Sequence, residues 1–460
     1  MAQFVFASPM PVPAGELFDW HSRPGAFLRL QPPWEQVEVI DQKGTFGEGY
    51  TLTMRVPILG PIHGSWVAEV HSVEPGHRFQ DRQLKGPFAH WNHTHTMTAD
   101  GPEQSTLEDS IEFRPPLGPL GDLFGTPLVR KRLASMFRYR HALTLSDVRR
   151  HRKYRDRPRL TVAITGSTGL VGSDLCLFLQ GGGHDVVRLV RGEVKPAPFR
   201  DGTRSLSWNA ESDPKTLEGL DAVVHLGADN IADGRWNEAK RKSILESRTG
   251  PTRRLCEALA KLDRKPKVLV SASAVGIYGD RKDEELSESS NPGTGFLADV
   301  CKAWEAATEP AVQAGIRVVN LRIGVVLSPK GGALGKQLPA FRTGNGAVLG
   351  SGKQWVSWIT GNDLIGAIHH AIQTDSLSGP VNAVAPHPET NRDFGRTLAH
   401  VLRRPYLFTL PAPILRVVFG EIADAALLAS MKVVPQKLLD SGFVFDHSDL
   451  DEALRFVLGR

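Results

Sequence analysis

Leu160–Gly172, LTVAITGSTGLVG, decides how the rest of the chain is read. Its first half is an apolar run with β-branched Thr161, Val162 and Ile164, the composition of a buried parallel strand. The run stops at a glycine loop, Gly166-Ser167-Thr168-Gly169-Leu170-Val171-Gly172, with GxxGxxG spacing. Beyond it, Val171, Leu175, Phe178 and Leu179 recur at helical spacing. Strand, glycine turn and helix together turn backbone N–H groups and a helix N-terminus toward one point, which suits a pyrophosphate.

Working outward, Asp185–Val190 reads as the second strand and ends at Arg191, about 20 residues past the loop. An acidic side chain there would hydrogen-bond the ribose diol of NAD, whereas an arginine suits the 2′-phosphate of NADP, so NADP is favoured over NAD. Further strands are expected at Ala222–Leu226, Lys267–Val270 and Arg317–Leu321, with a long helix over Asn237–Leu262. This alternation predicts a doubly wound parallel sheet with ligand at the strands' C-terminal ends. After Leu327 the glycines at 331, 332, 335, 344, 346, 350 and 352 predict a mobile run over the site's mouth. Trp355 and Trp358 suit either stacking on a flat ligand or the core. Asp363 opens a helix ending near Ile372, and residues 386–460 read as a small helical cap. There, Arg392, Gln436 and Lys437 are polar candidates better suited to structural roles.

Residues 1–150 carry a different pattern. A strand over Gln3–Phe6 and short helices over Pro13–Trp20 and Pro24–Leu30 come first. Alternating stretches follow at Trp34–Ile40, Gly49–Val56, Gly64–Val73, His77–Leu84, Trp91–Ala99 and Thr106–Phe113, then a helix over about Leu123–Thr144. His90, His93 and His95 invite a metal reading. With no HExxH helix and no evident carboxylate partner, they are expected to line a cavity or pack against Trp91, and no metal is expected. Residues 151–159 are charged, lack an apolar period and read as an interdomain linker.

The totals bound the answer. At 460 residues the chain needs two or three domains, and 41% hydrophobic with 23% charged residues is a soluble globular composition. No apolar run reaches membrane-spanning length and the opening residues lack a basic region before an apolar one, so a cytoplasmic protein is expected. Cys176, Cys256 and Cys301 lie far apart, suiting buried thiols in a reducing compartment. The net charge of +5 is concentrated between Arg130 and Arg159. Without a stacking pattern or helix-turn-helix, that charge reads as a solvated helix face running into the linker rather than a nucleic-acid patch.

Taken together, TGSTGLVG, Arg191, HLGAD, SASAVGIYGD and LRIGVVL resemble the extended short-chain dehydrogenase/reductases, the nucleotide-sugar epimerases and dehydratases. Arg235-Trp236, Ser247-Arg248, Thr252, Phe296-Leu297, Trp304-Glu305 and Trp355–Ile359 narrow this to the atypical "epimerase family" branch. So does the tail from Gly379, with its DUF1731-type cap. The order of elements in residues 1–150 resembles the helix-grip fold of the START and polyketide-cyclase-like (SRPBCC) superfamily, whose curved sheet implies an apolar ligand cavity. The implied domains are 1–150 helix-grip, 151–159 linker, 160–385 Rossmann-like and 386–460 cap, with the oligomeric state undefined.

The resemblance implies that Gly166 to Gly172 cradle the pyrophosphate and that Arg191 and Gly192 meet the 2′-phosphate. It also implies that Leu226, Gly227 and Ala228 pass under the adenosine, and that Ser271 and Val325 border the nicotinamide half. Arg248 would reach a phosphate or ribose, or form a surface ion pair. It implies hydride chemistry on a small carbonyl, alcohol or nucleotide-sugar. The family's Tyr-x-x-x-Lys, however, falls on Leu297 and Cys301, which cannot exchange a proton with a substrate. Lys302 points about 100° away round the helix. Ser273 remains as a hydrogen-bonding serine, and Tyr278 is the nearest phenol, suited to proton transfer or to packing. The alternative is a non-catalytic protein that senses NADP(H).

Overall fold

The computed structural model describes residues 1–59, 62–194, 200–209 and 212–460. The first sheet contains β1 (Ala2–Met10), β2 (Glu38–Lys43), β3 (Thr51–Leu59), β4 (Ile62–Glu74), β5 (Arg78–Lys85), β6 (His90–Gly101) and β7 (Gln104–Arg114). Its order is β1-β7-β6-β5-β4-β3-β2, antiparallel throughout. The alternating stretches of the sequence are these strands. Helices α1 (Ala14–Ser22) and α2 (Ala26–Arg29) follow β1, and α3 (Thr126–Arg152) follows β7. Phe4, Trp91, Ile111 and Phe113 pack on Leu133 and Phe137 of α3. A second cluster joins Met10, Leu17, Phe79, Met97 and Leu107 to Leu143 and Val148.

Helix α3 runs two turns past the expected end at Thr144, and this changes the reading of the basic segment. Nothing between 144 and 152 breaks a helix, and basic side chains in the last turn suit its carbonyl end. Arg150 and His151 are buried. Arg150 pairs with Asp363 at 2.7 Å and Asp446 at 2.6 Å, and Arg149 also pairs with Asp446. Arg132 meets Glu35, Arg152 and Arg155 meet Glu103, and Arg157 meets Asp375. The end of the expected solvated face is thus a docked helix end with several of its cations paired within the chain, and residues 153–159 lie beyond it without helix or strand.

The second sheet is wholly parallel, with strands β8 (Thr161–Thr165), β9 (Asp185–Val190), β10 (Arg204–Ser207), β11 (Ala222–His225), β12 (Val268–Ala274), β13 (Arg317–Ile323) and β14 (Gly379–Ala383). Its order is β10-β9-β8-β11-β12-β13-β14, so chain direction across the sheet reverses between β8 and β11. That switch point is where an open α/β sheet leaves a crevice. The sequence pattern points to neither edge strand, β10 nor β14. One face buries Val162, Ile164, Val224, Val270 and Leu321 under α4 (Gly172–Gly181) and α8 (Gly361–Gln373). The other buries Ala163, Val223, Leu269 and Val318 under α5 (Glu238–Ala260). Helix α6 (Phe296–Ala306) packs beside α5.

The glycine-rich run after Leu327 is helical in its first part. It forms α7 (Gly332–Arg342), which buries Leu334, Leu338 and Phe341 against α9 (Asn391–Leu402) and α10 (Leu450–Leu458) of the cap. The three cysteines are buried free thiols. No described helix is long and apolar enough to cross a membrane.

Candidate functional site

The glycine loop joins β8 to α4 at the switch point. Gly166 has φ +65°, and a Cβ there would lie 2.9–3.0 Å from the Leu226 and Gly227 backbone. A Cβ on Gly172 would lie 2.2 Å from the Gly166 carbonyl oxygen. The turn therefore nests against both the end of β11 and the start of α4, which only glycine permits. Gly169 N–H donates back to Gly166 O at 3.0 Å. Ser167 is buried, Thr168 and Gly169 are exposed, and Leu170 reaches toward Gly331 and Gly332 ahead of α7. Leu226, Gly227 and Ala228 continue from β11 beside the loop, and Val325 is half-buried with its N–H on Ser357 O.

Arg191 and Gly192 leave the end of β9 exposed, and Arg191 has no ion-pair partner among the described residues. The neighbouring Arg188 is committed: it donates to Ser167 O and Thr203 Oγ1, both at 2.8 Å, and pairs with Asp201 at 2.5 Å.

Above the apolar layer on the α5-facing side, the strands turn polar. Thr165, His225, Ser271 and Asn320 are successive register neighbours across β8, β11, β12 and β13. Thr165 Oγ1 accepts Leu226 N–H at 3.2 Å and lies 2.7 Å from His225 Nδ1, to which it donates given the His225 tautomer set on its other side. His225 Nε2–H then donates to Thr252 Oγ1 at 3.0 Å, whose own proton goes to Arg248 O. Trp304 Nε1–H also donates to Thr252. Burial, aided by the Arg191 cation, pushes the His225 pKa down to about 4, so its imidazole is neutral. Ser271 is fully buried in this layer, its hydroxyl without a hydrogen-bond partner among the described residues. Its side chain does not border an open cleft, which corrects its expected place beside the ribose. Arg248 is no surface ion pair either: it is buried over Trp304 and donates to the carbonyls of Asp229 and Ile244.

One step further along, Ser273 donates to Glu305 Oε1 at 2.7 Å, and Arg322 grips Glu305 through two 2.9 Å contacts. Leu297, Cys301 and Glu305 share one face of α6. Gly276, beyond β12, packs against Leu297 and Cys301. Burial pushes the Cys301 thiol up to about 12, so it supplies no thiolate. Tyr278 takes the packing alternative. It is fully buried, its hydroxyl 2.7 Å from Asn382 Oδ1 and 2.9 Å from Arg322 Nη1, and burial raises its pKa. A phenol so enclosed has no open side for a substrate, which corrects its candidacy as the proton donor.

Trp358 is core, donating to His387 O, while Trp355 donates to Asp283 and stacks with Lys432. Arg392, Gln436 and Lys437 hold Ser351 O, Asp440 and Ser378 O respectively, as structural roles require. His93 and His95 do have carboxylate partners, Asp81 and Asp109. His225, Glu305 and Arg322 were also missed as site residues. Glu305 and Arg322 stand in the quoted motifs, but their partnership depends on the register of β12 with β13.

A glycine loop at the switch point of a parallel sheet defines a Rossmann-type dinucleotide-binding protein. Residues 162–384 match the NAD dependent epimerase/dehydratase family, 410–457 match a domain of unknown function (DUF1731), and 66–147 match another (DUF8410). The epimerase family protein Mb2239 of Mycobacterium bovis is 45% identical over 302 residues, 65% of this chain and 98% of that protein. A crystal structure of a nucleoside-diphosphate sugar epimerase from Corynebacterium glutamicum superposes with a TM-score of 0.78 at 34% identity, covering 99% of this chain and 90% of that one. Human epimerase family protein SDR39U1, in a structure with NADPH, gives 0.60 at 34% identity over 65% of this chain and 99% of its own. This chain belongs to the epimerase family.

Proposed function

We propose that this chain is an NADP(H)-dependent oxidoreductase of the epimerase/dehydratase kind, acting on a small carbonyl, alcohol or nucleotide-sugar. The observation that carries the reading is the nested glycine turn with the exposed Arg191, without an ion-pair partner among the described residues, beside it. A Cβ at Gly166 or Gly172 would collide with neighbouring backbone and force open the tight turn whose N–H groups would face a pyrophosphate. Gly166 to Gly172 would hold the pyrophosphate, Arg191 and Gly192 the 2′-phosphate, Leu226 to Ala228 the adenosine half and Val325 the nicotinamide side. The similarity to a protein solved with NADPH supports the same choice. When bound, the cofactor supplies or accepts hydride.

The chain's own acid–base pair at the strand end is Ser273 with Glu305. Arg322 donates to both Glu305 oxygens and Ser273 donates to Oε1, which leaves the Ser273 lone pairs free to accept. That arrangement suits a substrate hydroxyl: its proton passes to Ser273 Oγ as the serine proton moves to Glu305 Oε1. The N-terminal domain, read as helix-grip, would hold an apolar ligand. In Arg191→Glu, NADPH affinity measured by calorimetry should fall about 10–100-fold, the worth of a charged hydrogen bond, with NADH little changed. Unchanged NADPH affinity would sink the NADP assignment. No NADPH oxidation over a carbonyl and nucleotide-sugar panel, despite binding, would sink the oxidoreductase.

A second reading, an NADP(H)-sensing protein without turnover, has its own observation. Ser167 O is tied through Arg188 to Asp201, whose carbonyl lies 3.1 Å from a Cβ built on Gly25 at the start of α2. A loop rearranged by cofactor would press on the N-terminal domain by that route. Hydrogen exchange in α1 and α2 that does not change on adding NADPH would count against it.

A further inference from the structure

The first sheet contains a buried polar layer that packing does not require. It lies between the two apolar clusters that α3 makes with the sheet. Antiparallel register builds it: Asp81 of β5 stands opposite His93 of β6, and Asp109 of β7 stands opposite His95. All four side chains point to the α3 side, and His141 of α3 closes the layer with Nε2 at 2.6 Å from Asp109 Oδ2.

The two rings lie between the same two carboxylates but turn opposite nitrogens toward Asp109. His93 Nε2 and His95 Nδ1 each lie 2.7 Å from Asp109 Oδ1, and the His95 ring is stacked on Phe79 at 4.1 Å between centroids. His93 Nε2 is hydrogen-bonded to Asp109 Oδ1, whereas His95 Nδ1 makes no hydrogen bond among the described residues, and His93 Nδ1 and His95 Nε2 both face Asp81 Oδ2, at 3.3 and 3.5 Å. A cation bound between these three atoms would satisfy all of them at once. Those separations exceed the roughly 2.7–2.9 Å of a charge-assisted N–H···O bond. They match the edge of a tetrahedron around a metal with bonds of about 2.1 Å, roughly 3.4 Å.

We propose that Asp81, His93 and His95 bind a divalent first-row transition metal, with Asp109 as the outer carboxylate that fixes the His93 imidazole. Two imidazoles and one carboxylate are a borderline N/O set suited to zinc, iron or manganese rather than magnesium or calcium. An acidic partner on the far ring nitrogen is the usual support of a metal-bound histidine. Three protein ligands leave a position for water or an oxygen-bearing ligand, and Asp81, with 23% of its side chain exposed, lies on the accessible side.

The other buried trio, His151, His184 and His369, is a poor competitor. His184 Nδ1 accepts the Leu160 amide, so in the neutral ring the proton sits on Nε2, the remaining ligand atom.

The test uses the full, untagged chain, stripped with chelator and titrated with Co²⁺ and Zn²⁺. One Co²⁺ per chain should bind, with visible ligand-field bands, and be displaced by Zn²⁺. Asp81→Asn should abolish the bands, and Asp109→Asn should weaken affinity about 10–100-fold. Both should keep the metal-free parent's circular dichroism and NADPH affinity, which separates lost ligation from lost folding. His184→Gln should bind Co²⁺ as the parent does. Stoichiometric binding that survives Asp81→Asn, or no binding by the parent, would overturn the proposal and leave a proton-bridged histidine–carboxylate network.

Discussion

At the scale of single residues, the replacement of tyrosine and lysine by Leu297 and Cys301 relocates the acid–base question. A phenol beside lysine donates to a carbonyl oxygen and is re-protonated from solvent. Ser273 here spends its proton on Glu305, and Arg322 holds that carboxylate by two contacts. Glu305→Gln keeps the size of the side chain and removes its basicity. It should lower NADPH-dependent turnover about 10²–10⁴-fold, the usual worth of a positioned acid–base group. NADPH affinity should stay within about twofold. Equal losses in affinity and turnover would show that Glu305 only supports the local structure. The absence of Tyr-x-x-x-Lys was plain from spacing along one helix. The substitute pair was not, because Ser273 and Glu305 meet only when α6 packs over the end of β12. Tyr278 misled for a related reason: it follows β12 in sequence, but Asn382 of β14 draws its hydroxyl into the interior.

At the scale of elements, the apolar pattern located nearly every strand, because each face of each sheet needs its own period. In the first sheet, alternation marked β2 to β7. In the second, continuous runs marked the strands covered on both faces. Position along the chain did not show what stands opposite what. Asp81 is 12 residues from His93, and Asp109 is 14 from His95. The histidines therefore looked unpartnered until the register was known. The end of α3 was hidden similarly, since the partners that bury Arg150 lie more than 200 residues downstream. The loop-to-helix joint, by contrast, was legible in its glycines. Gly172→Ala places a Cβ 2.2 Å from a backbone oxygen, which cannot rotate away. It should cost about 1–3 kcal/mol, in the range of overpacked sites, read by urea unfolding. It should also weaken NADPH binding by displacing α4 from the turn. A variant as stable as the parent would show that the joint has slack.

At the scale of the molecule, the two sheets are joined by a buried seam rather than a tether. Arg29 holds Asp147 through two 2.8 Å contacts and reaches Asn362 at 2.6 Å, while Arg150 spans Asp363 and Asp446. Breaking one member of such a pair strands the other in a low-dielectric interior. Beside these ion pairs lie four imidazoles: His151 from α3, His184 after α4, and His369 and His370 from α8. Burial pushes His184 and His370 down to about 4, and His151 and His369 well below their usual value. Each is therefore neutral when folded and takes up a proton near pH 6.5 when unfolded. Between those values the unfolded chain binds more protons, so stability rises with pH. The stabilisation is in place above about pH 6.5 and is lost as pH falls toward 4. The urea midpoint should therefore drop steadily from pH 7 to pH 5. His370→Gln, which keeps a hydrogen-bonding group near Tyr154 and Ser441, should flatten that slope by removing one titrating site. A midpoint independent of pH across this window would mean that water already reaches these rings, and that the seam opens without unfolding the chain.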